Sequence, residues 1–376
     1  MIRIYAHIDY AALRHNAALL RQWAGGAKIL AVIKSNAYGH GLEPVAQALT
    51  QQVDAFGVVH AEELRRLRAV GIRTPIVLLG GALDIHEFAQ ASSLEATLVV
   101  HDSYQLDFLK QKQYLFQKHA IWLKFNTGMN RLGFHPDNVE LTLRTLRSFN
   151  NVHWPVTLMS HLADADLPAE EDATRRQWQC FLKTGAGWAL PRSIANSAAL
   201  MQWPALSCSW SRSGLALFGI SPFYAQGESG ADWGLKPVMR LYSRLLALRH
   251  LKPGDAVGYG GEWGASKPTT IGIVAAGYAN GMPAHGGFHV AIGSRVVPAV
   301  GRTSMDMIAV DLGDNAREQP GDQVTLWDET MPIESMARQS GVSPYHLLTR
   351  LGDHLTYQYE DGITKVHRAD HHGAFA

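Results

Sequence analysis

AVIKSNAYGHG, residues 31–41, sets the first beat of the fold. The apolar run Leu30–Ile33 reads as a buried strand that delivers Lys34 to its end, after which the chain turns polar and Gly-rich. An amine at the rim of a pocket can have its proton affinity lowered and can then form a Schiff base with an aldehyde. On these residues alone, an ordinary strand-end lysine reaching solvent fits equally well.

Similar short apolar runs recur downstream. They are Ile29–Ile33, Phe56–Val59, Ile76–Leu79, Thr97–Val100, Ile121–Phe125, Val156–Met159, Ser193–Ala195 and Gly214–Phe218. Most are rich in Val, Ile or Leu, as strands buried on both faces should be; the seventh leans on its place in the series. Helix-like stretches lie between them. Ala61–Val70 has Glu62 and Glu63 early and Arg65, Arg66 and Arg68 late, matching a helix dipole. Asp102-Ser103 opens Tyr104–Lys118, and Pro168 opens a long helix with Glu170, Glu171 and Asp172 in its first turn. Strands alternating with helices in this way predict an α/β fold, a (β/α)8 barrel of the TIM type.

In such a barrel the chemistry sits at the C-terminal ends of the strands. Those ends carry Lys34, His60, Gly80-Gly81, His101, Asn126, His161, Asn196-Ser197 and a rim near Arg212. Polar and reactive side chains recur around the ring, which points to a site there. Ser197 follows strand seven, and Gly214 and Leu215 fall where strand eight is expected to begin, the region where barrels often seat a phosphate.

Near Ser221 the rhythm breaks. The Gly-, Ser- and Pro-rich stretch Ser221–Gly234 reads as a linker, and strand-like runs follow: Met239–Leu251, Thr269–Ala276, His289–Ile292 and Met307–Val310. Lys252-Pro253-Gly254-Asp255 and Gln319-Pro320-Gly321-Asp322 are matching turns that feed strands. Helical segments are expected at Ile333–Gln339 and after Pro344. The expected domains are therefore a barrel over 1–232 and a mainly β domain over 233–376, which the first ten or so residues could join.

The 376 residues suit two domains, and 47% apolar content supplies their cores. A formal net charge of +1 gives no nucleic-acid footprint or electrostatic membrane anchor. Two cysteines, Cys180 and Cys208, without a CxxC pair fit a reduced, cytoplasmic setting. No apolar signal core or membrane-length stretch is seen. The tail histidines His367, His371 and His372 read as a polar end rather than a metal site.

Five segments together resemble the alanine racemase family: AVIKSNAYGHG at 31–41; LKFNTGMNRLGF at 123–134; SIANSAAL at 193–200 with SRSGLALFGISP at 211–222; VGYGGEW at 257–263 with AAGYANG at 275–281; and GRTSMDM at 301–307. The resemblance runs in order along nearly the whole chain. It implies a pyridoxal 5'-phosphate enzyme that interconverts L- and D-alanine, with Lys34 holding the cofactor as an internal aldimine. A racemase needs bases on both faces of its substrate, and the family supplies the cofactor as electron sink. The match makes Lys34 one base and Tyr259, from the partner subunit, the other, so a homodimer is expected. A tyrosine with its ordinary pKa of about 10 is a weak base at neutral pH; by the resemblance His161, linked to Arg212, assists it.

The match further implies that Arg212 faces the cofactor ring nitrogen. Tyr38, Asn196, Ser197, Gly214 and Leu215 attend the cofactor, its phosphate above all, and Arg131 contacts its phenolic oxygen and the substrate. Met305, Asp306 and Tyr278 line the substrate side. Lys124 matches a lysine that is carbamylated in many members, which would turn two repelling cations, Lys124 and Arg131, into a pair. One departure stands out: Asp353 falls where many members place an entrance tyrosine, which leaves substrate breadth open between alanine, serine and basic amino acids. A two-domain decarboxylase of similar layout is the other alternative, but such enzymes place a glutamate where SRSG places Arg212.

Overall fold

Aliphatic runs become strands here because they can be buried on both sides. The structure, a computed structural model, describes residues 3–111, 114, 117–206, 208–352, 355–361 and 365–366. Strand β1 (Tyr5–Asp9) precedes a series of eight, β2 (Lys28–Val32), β3 (Ala55–Val58), β4 (Ile76–Leu78), β5 (Thr97–Val100), β6 (His119–Lys124), β7 (Val152–Met159), β8 (Arg192–Ser193) and β9 (Trp210–Ser213). Among the described residues these eight form one parallel sheet in the order β8-β7-β6-β5-β4-β3-β2-β9. Leu30 lies opposite Ala55 on one side of β2 and opposite Arg212 on the other. The two ends meet: Arg212 N donates to Ala195 O at 3.0 Å, and Ser193 Oγ donates to Trp210 O at 3.0 Å. The sheet is thus closed into the expected barrel.

Fully buried Ile29, Leu30, Phe56, Phe125 and Phe181 fill this unit, each worth ~1.5–3 kcal/mol of burial. The helices between the strands bury one stripe apiece. In Val139–Ser148 the buried positions are Val139, Thr142, Leu143 and Leu146, the i, i+3, i+4, i+7 spacing of a single face. Asp84 starts the helix Ile85–Ser93 by accepting from Glu87 N at 2.8 Å, a side-chain N-cap.

Three expectations need correction. The eighth strand is Trp210–Ser213, not Gly214–Phe218; Leu215–Phe218 is a buried 3₁₀ turn, so Gly214 and Leu215 follow the strand rather than begin it. The seventh strand is the two-residue Arg192–Ser193, ahead of the expected Ser193–Ala195. The helix expected to run from Tyr104 to Lys118 stops at Leu109, with Lys110 as its C-cap.

The second unit is antiparallel apart from one pairing. It comprises β1 with β10 (Met239–Leu251), β11 (Ala256–Val257), β12 (Trp263–Gly264), β13 (Thr269–Val274), β14 (His289–Ile292), β15 (Arg295–Val300), β16 (Ile308–Gly313), β17 (Gln323–Trp327), β18 (Thr356–Glu360) and β19 (Lys365–Val366). The order is β13-β16-β15-β14-β17-β10-β1-β18-β19, and β13 also pairs with β10, which curls the sheet into a ring. Strand β10 can serve three partners because its register shifts between Leu245 and Ala247, a bulge that bends it. The two Pro-Gly-Asp turns fold alike: Asp255 accepts from Lys252 N, and Asp322 from Gln319 N, both at 2.8 Å. Gly254 and Gly321 have φ of 95° and 101°, where a side chain would be strained. Helices Ile333–Ser340 and Pro344–Thr349 form near the unit's end as expected, ahead of β18 and β19, while Ser221–Gly234 contains two 3₁₀ turns rather than open linker.

The chain divides into a barrel unit of residues 16–37 and 41–217 and a β unit from the described parts of 1–15, 38–40 and 218–376. Strand β1 belongs to the latter, parallel to β18 and antiparallel to β10.

Candidate active site

Lys34 stands just beyond the end of β2, half-buried, on buried Ile33. The backbone then makes a left-handed turn: Ser35, Asn36, Ala37 and Tyr38 have φ of 54°, 54°, 53° and 52°. None of these residues is glycine, and each costs on the order of 1–2 kcal/mol in this conformation. Local polar groups offset that cost. The Glu63 carboxylate accepts from Ser35 N at 2.6 Å and from Val59 N at 3.1 Å. Asn36 Oδ1 accepts from Leu42 N at 3.0 Å. Burial lowers the proton affinity of Lys34, the Arg131 guanidinium lowers it further, and the Glu63 carboxylate opposes both.

Three more cations converge on the same strand ends of the barrel unit. Lys124, the last residue of β6, is buried, and its pKa is pushed down to about 8 by burial first and then by Arg212, Arg131 and Lys34. Arg131 lies in the loop after β6; its side chain is exposed, yet its charge acts on Lys34, Lys124, His161 and Arg212. Arg212 on β9 is buried, and burial pushes its pKa down to about 10, which still leaves it charged at neutral pH. Its guanidinium donates to Ser193 Oγ at 2.7 Å, Ser160 O at 2.7 Å and Ile194 O at 3.3 Å, and lies 3.1 Å from His161 Nδ1.

That last contact assigns a tautomer. Arg212 can only donate, so His161 Nδ1 accepts and the imidazole proton sits on Nε2. Burial holds His161 well below the usual histidine range, and Arg212, Arg131, Lys124 and Lys34 add to the effect. The ring is therefore neutral. His101, whose Nε2 is 3.0 Å from Gly80 O, is lowered mainly by burial.

On the adjacent strand ends, Asn196 caps the helix Ser197–Gln202 by accepting from Ala199 N at 3.0 Å. Ser197 Oγ accepts from Gly214 N at 3.2 Å and pairs with Ser213 Oγ at 3.0 Å. Buried Leu215 begins the following 3₁₀ turn. These residues place a hydroxyl and a glycine amide at the ends of β8 and β9.

Sequence reasoning missed the polar braces. Glu63 reads from sequence as a helix-dipole charge, and its contact with Ser35 has no local signal. Ser160, Thr127 and Gln177 form a chain: Ser160 Oγ donates to Phe125 O at 2.8 Å, lies 2.9 Å from Thr127 Oγ1, and Gln177 Nε2 donates to Thr127 Oγ1 at 3.2 Å and to His161 O at 3.0 Å. The offset of Thr127 from Lys124 in the LKFNTG segment was the available hint.

The other candidates lie in the β unit. Tyr38 is buried there against Phe218 and Tyr345, with ring centroids 5.1 and 5.7 Å away, and burial raises its pKa well above the usual tyrosine value. Tyr259, Tyr278 and Met305 are 65%, 50% and 56% exposed, and Asp306 is exposed as well. Tyr278 N donates to Ser304 O at 3.1 Å and Ala279 N to Met305 O at 2.9 Å, so the turns bearing Tyr278 and Met305 are joined. Next to Tyr259, Glu262 accepts from Arg302 Nε at 3.0 Å and lies 3.0 Å from His285 Nδ1. Asp353 and the tail histidines His367, His371 and His372 lie outside the described residues.

Family models agree with this architecture. The model for the alanine racemase N-terminal domain matches residues 8–222 and that for the C-terminal domain matches residues 238–359. The chain is 43% identical over 356 residues to a biosynthetic alanine racemase of Escherichia coli, covering 94% of this chain and 98% of that protein. It superposes on the biosynthetic alanine racemase of Pseudomonas aeruginosa with a TM-score of 0.89 at 37% identity, covering 96% of this chain and all of the other. A structure of the Bartonella henselae alanine racemase with covalently bound pyridoxal phosphate gives a TM-score of 0.86 at 27% identity over 96% and 100% of the two chains.

Proposed function

The chain belongs to the alanine racemase family, and on that premise we propose that it interconverts L- and D-alanine with Lys34 and the partner's Tyr259 as its two bases. As an alanine racemase it is an amino-acid isomerase. The observation that carries the residue-level reading is the convergence of Lys34, Lys124, Arg131 and Arg212, with Lys34 of lowered proton affinity.

Pyridoxal 5'-phosphate fits this donor set. Clustered cations call for an anion, and an amine of lowered proton affinity is a nucleophile toward an aldehyde. Lys34 would bind the aldehyde carbon. Tyr38, Ser197, Gly214 and Leu215 would hold the phosphate end with Asn196 beside them at the cofactor, Arg212 the ring nitrogen and Arg131 the phenolic oxygen. When bound, the cofactor supplies the electron sink that makes the substrate's α-hydrogen removable.

The chain's own groups then move the proton. Lys34 exchanges it on one face of the α-carbon, and Tyr259 of the partner subunit on the other. Neutral His161 offers its Nε2–H toward that tyrosine oxygen; a donor to the charged form favours the phenolate. Arg212, a donor that keeps its proton, would face the ring nitrogen without protonating it and so weaken the electron sink, which disfavours side reactions and decarboxylase chemistry. Met305 and Asp306, with Tyr278, would border the substrate. Exposed Tyr259, together with exposed Tyr278 and Met305 on joined turns, supports a subunit interface, and D-alanine supply in the cytoplasm is the role proposed.

The test has two steps on purified protein. Borohydride reduction and peptide mapping should place the cofactor on Lys34, and L-alanine should yield D-alanine faster than serine, lysine or arginine racemise. A label on another lysine, or turnover of another amino acid with alanine untouched, overturns the corresponding part.

A further inference from the structure

The four-residue left-handed turn after Lys34 contains no glycine, so something outside the turn must hold it. On one side stands Glu63, in the first turn of the helix Ala61–Ala69. Its Oε1 takes Ser35 N at 2.6 Å, and its Oε2 takes Val59 N at 3.1 Å and His60 N at 3.3 Å. One buried carboxylate therefore ties the residue after Lys34 to the end of the neighbouring strand β3. On the other side Arg66, paired with Glu43 through Nε at 2.6 Å and Nη2 at 2.8 Å, reaches Asn36 Oδ1 at 3.4 Å. Both braces come from the same helix, Glu63 and Arg66 being three residues apart and so on one face.

We propose that Glu63 is a positioning residue for Lys34, holding the left-handed turn that aims its amine. The proposal rests on the reading of Lys34 as the cofactor lysine and active-site base. A capping role alone is a distinct possibility with a distinct signature. Glu63 occupies the third position of a capping box with His60, where glutamine serves as well as glutamate. Glutamine has one acceptor oxygen in place of two and no charge, so it can cap the helix while failing to bridge Ser35 and Val59 together. Two charged groups act on the proton affinity of Lys34: the Arg131 guanidinium lowers it and the Glu63 carboxylate raises it.

The test is Glu63→Gln in the full-length holoenzyme, read by amide hydrogen exchange at residue 35, steady-state kinetics and melting temperature. The expected result is a melting temperature lowered by a few degrees, Ser35 amide exchange faster by about tenfold or more, and kcat lower by about tenfold with KM for alanine little changed. Unchanged exchange or unchanged kcat overturns the proposal, because a cap alone would give that. Should the variant not fold, the wild-type protein decides: Ser35, an exposed residue, must show a strongly protected amide, and free exchange there overturns the proposal. Borohydride mapping in the same preparation keeps the two readings apart. A label away from Lys34 fails the cofactor assignment, whereas Ser35 exchange reports on Glu63 either way.

Discussion

At the scale of single residues, burial and crowding of like charges do most of the work. Lys124 has a pKa of about 8 against an ordinary 10.5, so its neutral fraction at pH 7 rises about 300-fold. A neutral amine is the form that reacts with carbon dioxide, and a carbamate there would give Arg131 an anionic partner. Intact-peptide mass spectrometry under bicarbonate should show one added carboxylate on Lys124; an unmodified Lys124 at full activity would refute the modification. His161 supplies a pH prediction. Its folded-state pKa lies well below 6.5, so as pH falls below about 6.5 the unfolded chain takes up a proton that the native ring refuses. Stability therefore drops on the acid side, and His161→Gln should flatten the melting-temperature profile between pH 7 and 5. Tyr259→Phe should depress racemisation by at least about a hundredfold while the cofactor absorbance persists; equal loss of both would remove Tyr259 from the role of base.

At the scale of elements, what could be read from sequence depended on whether function and packing agreed. Strands β2 to β5 are aliphatic because both faces are buried, and the apolar runs mark them within a residue or so. Strand β9 is Trp-Ser-Arg-Ser, polar because Arg212 and its serine neighbours serve the barrel end, while the apolar Leu215–Phe218 after it drew the strand reading. The turn after Lys34 was illegible for a similar reason. Left-handed backbone is normally announced by glycine, and here only Asn36 hints at it, the rest being imposed by Glu63 from a distant stretch of sequence. The strand-end positions of the barrel residues were legible in outline, but the Ser160–Thr127–Gln177 chain depends on side-chain reach that spacing does not encode. In the β unit, a Cβ on Gly277 would lie 2.1 Å from Met305 O and 2.4 Å from Ser304 O, all backbone. Gly277→Ala should thus cost about 2–4 kcal/mol and displace the turns bearing Tyr278 and Met305. A melting temperature and KM equal to those of the wild type would contradict that packing.

At the scale of the whole molecule, the barrel unit carries the candidate cofactor lysine and the β unit carries exposed Tyr259, Tyr278 and Met305. Among the described residues no helix is long and apolar enough to cross a membrane. If the β unit of one subunit completes the site on the barrel of another, each monomer holds half of two sites and none complete, and specific activity should fall on dilution through the dimer dissociation range. The pairing of Lys34 with the partner's Tyr259 can be tested by mixing two inactive variants, Lys34→Ala and Tyr259→Phe, and allowing subunits to exchange. Random reassortment makes half of the dimers hybrids, each with one intact and one doubly altered site. The two-base interface predicts recovery of about a quarter of wild-type activity; no recovery in a mixture shown to contain hybrids would contradict it.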